Sequence, residues 1–206
     1  MAGALLIFRV RLEDIYTLRN LIYRHLGILK NGYGCSFLGI SNDAERVPPC
    51  ETHPLLNVGM AILYFAKYCD AKRFFFSEHT LMASDILDPA DVYVVPVKQP
   101  ILLGSQGAAF FFTETYQPDN HELLPLSSIF HEMTTCGAVP LVSDSANVTL
   151  IRSLQHNTVG IRMCQFPNKK IFYDWVKSEC GAKFRDMMCK FRSLNSYIAT
   201  FERDLN

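Results

Sequence analysis

The residues with the most chemical content lie between Gly107 and Asp144, in the stretch GAAFFFTETYQPDNHELLPLSSIFHEMTTCGAVPLVSD. It reads as apolar strand, polar loop, helix, glycine, strand. Free amides and the local dipole at a helix N-terminus attract anions, and ligands favour the carboxyl ends of parallel strands. Thr113, Glu114, Ser127, Ser128, His131 and Glu132 lie along that rim and form the candidate ligand-binding set. Glu114 and Glu122 suit a ribose or sugar hydroxyl, or else are solvated loop acids. Glu114 or Glu132 would be the polar anchor. Ser127 and Ser128 either donate to a phosphate or cap the helix, which needs only a hydroxyl near free amides. His131 has the chemistry of a general base, or is an exposed histidine on a helix face.

Other constellations carry less. Cys50-x-x-His53 with His79 suggests a metal, but zinc needs four clustered ligands and no second Cys/His pair lies nearby. No metal and no cofactor are therefore expected. Asp85, Asp88 and Asp91 surround Pro89 and read as turn and cap residues, or as an acidic metal motif. Walker A, Gly-x-Gly-x-x-Gly, His-Glu-x-x-His and Gly-x-Ser-x-Gly motifs do not occur, which removes the commonest nucleotide, zinc-protease and serine-hydrolase readings.

Composition narrows the class. Lysine plus arginine equals aspartate plus glutamate, 20 each, so no general electrostatic pull on nucleic acid or anionic membrane is expected. The hydrophobic fraction of 49% is enough to bury a sizeable core. Seven cysteines, an odd number without a Cys-x-x-Cys pair, read as buried reduced thiols. That implies a cytoplasmic or other reducing intracellular compartment. Arg9 ends the first apolar run before it is long enough for a secretory signal, and no run suits a membrane span. The sequon at Asn147 to Thr149 then reads as a chance match.

These residues need elements to position them. Residues 4–10 read as a strand, 12–30 as helix, 33–41 as a strand and 42–53 as a surface loop. Residues 54–70 carry Leu56, Met60, Leu63 and Ala66 at helical spacing. Phe74 to Phe76, Val92 to Val95, Gly107 to Thr113, Val139 to Val142 and Val159 to Met163 read as short buried strands. Residues 125–136 form an amphipathic helix through Leu126, Ile129, Phe130 and Met133, capped by Gly137. From about 168 the chain reads as helical to its end, with Phe184, Met188, Phe191, Leu194 and Ile198 as a stripe. Helices between apolar strands predict a single α/β domain over 1–206: a mostly parallel, Rossmann-like sheet with helices on both faces. No internal repeat is visible. One core is expected to join Phe75, Val94, Phe111, Ile129, Met133, Leu141 and Ile161.

The segment Glu132-Met-Thr-Thr-Cys-Gly137-Ala-Val-Pro140-Leu-Val, behind a strand and an acidic loop, resembles the donor-binding C-terminal lobe of GT-B glycosyltransferases. Gly-Ala-Val-Pro-Leu-Val looks closer still to the fucosyltransferase and exostosin-like branches, and Phe111-Phe112-Thr113-Glu114 resembles the segment entering their donor site. The resemblance implies a nucleotide-sugar ligand on the 113–131 rim. It also implies a departure: fucosyltransferases hold donor phosphates with a Glu-Lys pair where this chain has Ser127 and Ser128. The expectation is therefore a glycosyltransferase-like domain acting as a non-catalytic or partner-dependent subunit, with a protein partner or a second copy of itself. The alternative is an active glycosyltransferase moving a sugar to an acceptor hydroxyl.

Overall fold

Strand β1 (Gly3–Arg11) is buried on both faces along all but its last residue. In a computed structural model, which describes residues 3–47, 58–77, 90–97, 107–116, 126–142, 149–152, 158–190 and 194–201, the reason is clear. One face of β1 lines the inside of a curled sheet and the other lies beneath helices.

The chain folds as two consecutive units of the same plan. The first runs β1, a short helical turn, α1 (Ile15–Arg24), α2 (Leu26–Tyr33), β2 (Cys35–Arg46), β3 (Val58–Phe65), α3 (Tyr68–Phe75) and β4 (Asp91–Val97). The second runs β5 (Ala109–Tyr116), α4 (Leu126–Thr135), β6 (Val139–Val142), β7 (Thr149–Arg152), β8 (Thr158–Phe166), α5 (Lys169–Lys177), α6 (Ala182–Lys190) and β9 (Leu194–Thr200). The described strands form one sheet in the order β6-β8-β5-β9-β2-β3-β1-β4-β7, and all their pairings are antiparallel. Within each unit a strand slips between the two strands that a helix connects. This is the split βαβ, or ferredoxin-like, arrangement.

Register makes the duplication explicit. Ala4 lies between Phe65 and Pro96; Ala109 lies between Phe166 and Thr200. Moving along each strand, Phe8 corresponds to Thr113, Arg9 to Glu114, Ala61 to Arg162, Val92 to Ser196 and Tyr93 to Tyr197. Each unit also reaches across to the other: the end of β2 pairs with β9, and β7 pairs with β4.

The sheet curls into an almost closed barrel. β1 and β5 are four strand spacings apart in the sheet order, about 19 Å if flat. Yet Arg9 on β1 and Glu114 on β5 touch at 2.6 Å. Three cores result. Leu5, Ile7, Met60, Tyr93, Phe110, Phe112, Ile161, Met163 and Tyr197 fill the barrel. Leu6, Phe8, Leu63 and Phe65 pack outward on Ile15, Leu18, Ile22, Phe74 and Phe75 of the first helix layer. Phe111, Cys164, Phe166 and Ile198 pack on Ile129, Met133, Phe172, Trp175 and Phe184 of the second.

Several expectations are corrected. The sheet is antiparallel and barrel-like, not mostly parallel and Rossmann-like. Strands buried on both faces resemble parallel-sheet strands, but here one face is buried inside the barrel. The single expected core is split: Phe75 and Val94 belong to the first layer, Phe111, Ile129 and Met133 to the second, and Ile161 with the partly buried Leu141 to the interior. Phe74 and Phe75 are helical, residues 58–65 are a strand, and the tail returns to the sheet as β9. An internal repeat exists in structure although the sequence hides it. The expected helix over 125–136 is present as Leu126–Thr135.

Asp43 ties the two units together. It sits in an irregularity of β2 between Ser41 and Ala44. Its carboxylate accepts from the Thr200 amide at 3.0 Å, the Thr200 hydroxyl at 2.5 Å, the Ser41 hydroxyl at 2.7 Å and the Lys169 ammonium at 2.8 Å. Burial works to raise its pKa, but the bonds from Lys169, Thr200 and Ser41 outweigh it and hold the carboxyl below its ordinary 3.8. A depressed folded-state pKa gives stability that is present above 3.8 and lost as pH falls through the lower folded value. Denaturant titrations of wild type and Asp43→Asn should therefore show a clear stability gap at neutral pH that narrows on acidification below about pH 4. A gap independent of pH would show that the Asp43 charge does not hold this joint.

Candidate functional site

Two places in the described structure bring polar side chains into buried surroundings. The first is the middle of the barrel. Arg9 is 1% exposed at the end of an apolar strand. Its Nε and Nη2 donate to Asp91 Oδ2 at 3.1 and 2.7 Å, Nη2 also donates to the Tyr93 hydroxyl at 2.8 Å, and Nη1 donates to Glu114 Oε2 at 2.6 Å. The guanidinium carbon lies 4.9 Å from the centre of the Tyr197 ring. Burial pushes the Tyr197 phenol up to about 12, against the opposing pull of Arg9. A buried cation needs such partners, because leaving it unpaired is expensive. These bonds join both units and make the cluster the polar centre of the barrel.

The second place is the outer face of the second unit. Alternation puts Phe112 and Glu114 inside the barrel and Thr113 outside, toward the helices. Arg162 on β8 and Ser196 on β9 flank Thr113 in register. All three point the same way, so Arg162, Thr113 and Ser196 form a polar row across three adjacent strands. Thr113 and Ser196 are buried and Arg162 is half-buried. The Thr113 Oγ1 is buried without a hydrogen-bond partner among the described residues. Such an atom calls for an explanation in a native structure.

Beside the row stands a wall of rings. Phe111 lies 6.2 Å from Phe130, 4.9 Å from Phe172 and 5.5 Å from Phe184, centre to centre, and Trp175 lies 5.5 Å from Phe184. α5 presents Phe172 and Trp175 because their i, i+3 spacing puts both on its buried face. Asn168 caps that helix, its side chain accepting from the Ile171 amide at 2.9 Å. The Trp175 indole nitrogen also lacks a partner among the described residues.

The first unit supplies an internal comparison. At the level of the polar row it carries Ala61, Phe8 and Val92, all buried and apolar, and Phe8 packs on Phe75 at 6.3 Å. Phe74 stands where the second unit has Trp175. The same backbone positions are thus filled with hydrocarbon in one layer and with hydroxyls, a guanidinium and an indole in the other.

The residues chosen from sequence scatter over three surroundings. Thr113 faces the second helix layer, while Glu114 points into the barrel against Arg9. Ser128 and His131 are exposed on α4. Glu132 on the same helix accepts from Lys183 of α6 at 2.7 Å. Ser127 lies in α4, but its side chain is outside the described residues, as are Cys50, His53, His79, Asp85, Asp88 and Glu122. Asp91 is an Arg9 partner rather than a cap. No cluster of three or more metal-ligating side chains occurs among the described residues, and no described helix is long and apolar enough to cross a membrane. Sequence reasoning missed Arg9, Arg162 and Ser196. The available signal was an arginine embedded in an apolar strand, as in Ile7-Phe8-Arg9-Val10 and Gly160-Ile161-Arg162-Met163.

The Arg9 cluster has a measurable consequence. Arg9→Met removes the guanidinium that bonds the buried Asp91 and Glu114 carboxylates and should cost about 3–5 kcal/mol in urea unfolding. The double variant Arg9→Met/Glu114→Leu should cost less than the sum of the two single changes, because the partners act as one unit. Strict additivity would refute the coupling.

No protein-family model matches this chain, and no curated protein matches it. Solved structures do. An anthrone oxidase-like protein superposes with a TM-score of 0.54 at 10% identity, covering 98% of this chain and 92% of that one. A monooxygenase-like protein from Lactobacillus acidophilus NCFM superposes with a TM-score of 0.51 at 9% identity, covering 97% and 94%. At these identities the likeness is one of fold. It overturns the resemblance to a GT-B donor lobe and, with it, both the non-catalytic and the active glycosyltransferase readings. Gly-Ala-Val-Pro-Leu-Val here enters a short strand of an antiparallel barrel, so the motif is shared without the fold. What the chain shares with these two structures is the curled antiparallel sheet flanked by helices.

Proposed function

We propose that this protein oxidises a small, flat, ring-bearing molecule held in the second helix layer, between Phe111 and the Thr113 row. The observation that carries this reading is Thr113 Oγ1: a hydroxyl 1% exposed, without a hydrogen-bond partner among the described residues, at the edge of an aromatic wall. Aromatic faces pack on flat rings, and a buried donor fixes the orientation of one polar atom. The anthrone oxidase-like neighbour suggests the reaction class. In such a reaction the ring methylene becomes a carbonyl, dioxygen takes up the electrons, and the second oxygen atom leaves as water with the two methylene hydrogens. Rings would be held by Phe111 and Phe130. Thr113 would donate to a substrate oxygen, and the surrounding hydrocarbon would exclude water from the reacting carbon.

The test is oxygen uptake with 1,8-dihydroxyanthrone as probe, measured above its uncatalysed oxidation. The wild-type chain should accelerate uptake, and Thr113→Val, which keeps shape but removes the hydroxyl, should lower the accelerated rate by about tenfold or more. No acceleration, or full acceleration by Thr113→Val, would sink the proposal.

A further inference from the structure

We propose that the barrel opens at one seam only. β7 comes away from β4 while β2 stays on β9, and Asp43 is the latch that makes the difference.

Each unit sends one stretch of chain across to the other, and register shows that the two stretches are equivalent. In the first unit Phe37 lies opposite Leu63 and Gly39 opposite Ile62, with one residue skipped between them. In the second, Pro140 lies opposite Cys164 and Val142 opposite Met163, again with one residue skipped. Leu63 and Cys164 hold equivalent places in their units, as do Ile62 and Met163. Further along, Glu45 lies opposite Ile198 and Thr149 opposite Val94. Yet the first unit makes the crossing with one strand of 12 residues, β2, and the second makes it with β6 and β7, strands of 4 residues each. β2 cannot leave β9 without disturbing its own ladder on β3. Among the described residues β7 pairs with β4 alone, at the end of the sheet order.

Side chains widen the difference. At the β2–β9 seam Asp43 accepts from the amide and the hydroxyl of Thr200, and the Lys169 ammonium of α5 donates to Asp43 at 2.8 Å and to Glu45 at 2.9 Å. The Val47 amide donates to the Ser196 carbonyl at 3.0 Å, and the Val47 side chain is buried in the second helix layer. The equivalent positions at the other seam cannot repeat this. Thr200 corresponds to Pro96, since they lie opposite Ala109 and Ala4. Proline has neither an amide hydrogen nor a hydroxyl to donate. Lys169 corresponds to Tyr68, the first residue of α3 as Lys169 is of α5, and a tyrosine brings no cation. Thr149 replaces Glu45. The β4–β7 ladder also shifts register between Val92 and Tyr93. Local opening takes the path that breaks the fewest interactions. Here that path is β7 leaving β4, which uncovers the edge of β4 at Tyr93, a residue of the barrel interior.

Hydrogen exchange of the whole chain, read amide by amide, tests this. The protected amides of Leu6 and Ile62, in the ladder between β1 and β3, report global unfolding. In wild type the protected amides of Thr149–Arg152 should exchange about tenfold or more faster than Val47 and should respond little to low denaturant, the mark of local opening. Val47 should stay close to the Leu6 and Ile62 rate. Asp43→Asn should lift Val47 about fivefold or more above that reference while changing the β7 amides less than about twofold. Thr200→Val keeps the shape and removes one hydroxyl from Asp43. It should move Val47 in the same direction by less, and it serves if Asp43→Asn does not fold. Equal rates at Val47 and β7 in wild type, or equal acceleration of both by either variant, would overturn the proposal.

Discussion

The barrel depends on one ion pair. Arg9 and Glu114 hold equivalent positions in the two units, yet they face each other across the interior at 2.6 Å. In a symmetric pair of identical subunits, a residue this close to the axis would meet its own copy. Arginine would then face arginine, or glutamate would face glutamate, and two like charges in a dry interior repel strongly. Joining both units in one chain frees the two positions to differ. Asp91 and Asn195 show the same freedom: each lies opposite Arg9 or Glu114 in register, one charged and one neutral. The Tyr93 and Tyr197 pair has kept its identity, because a ring over a guanidinium serves on either side.

The same freedom reaches the outer layers. Once the chain is a single polypeptide, each layer answers to a different demand. The first has kept a packed hydrocarbon interior of Phe8, Phe65, Phe74 and Phe75. The second has gained Phe111 and Phe172 where the first has Leu6 and Ala71, and polar atoms where the first has Phe8 and Phe74. Larger rings and polar atoms in one layer and smaller hydrocarbon in the other are open to two halves of one chain that need not stay identical.

Parts of this were legible in the sequence. The helix over Leu126–Thr135 announces itself through Ile129, Phe130 and Met133, whose spacing is helical and whose neighbours are polar. β1 is legible because a short apolar run ends at a helix start. The strand Val58–Phe65 was not, because nearly every residue in it is buried; with both faces covered, Met60 and Leu63 match a helical period as easily as an extended one. Phe74 and Phe75 misled for the opposite reason: adjacent phenylalanines favour strands by propensity, while Ala71 completes a helical i, i+3, i+4 face. Strand direction was out of reach for a deeper reason. Split βαβ units produce the same alternation of strands and helices as a parallel sheet, and only the register distinguishes them. The candidate site was half visible. Thr113 was chosen, but its partners Arg162 and Ser196 lie on strands remote in sequence and are joined to it only by that register.

The two seams between the units are thin. β2 meets β9 through the pairs Glu45 with Ile198 and Arg46 with Tyr197, the Val47 amide on the Ser196 carbonyl and the Asp43 bonds to Thr200, and β4 meets β7 through a short, irregular ladder. Inside each unit the ladders run the full length of the strands. Separating the units at a seam therefore breaks few backbone bonds, whereas separating strands within a unit breaks many. The two halves of the chain are therefore joined as much by side chains as by backbone: the shared barrel interior, the Asp43 bonds and the Arg9 pair.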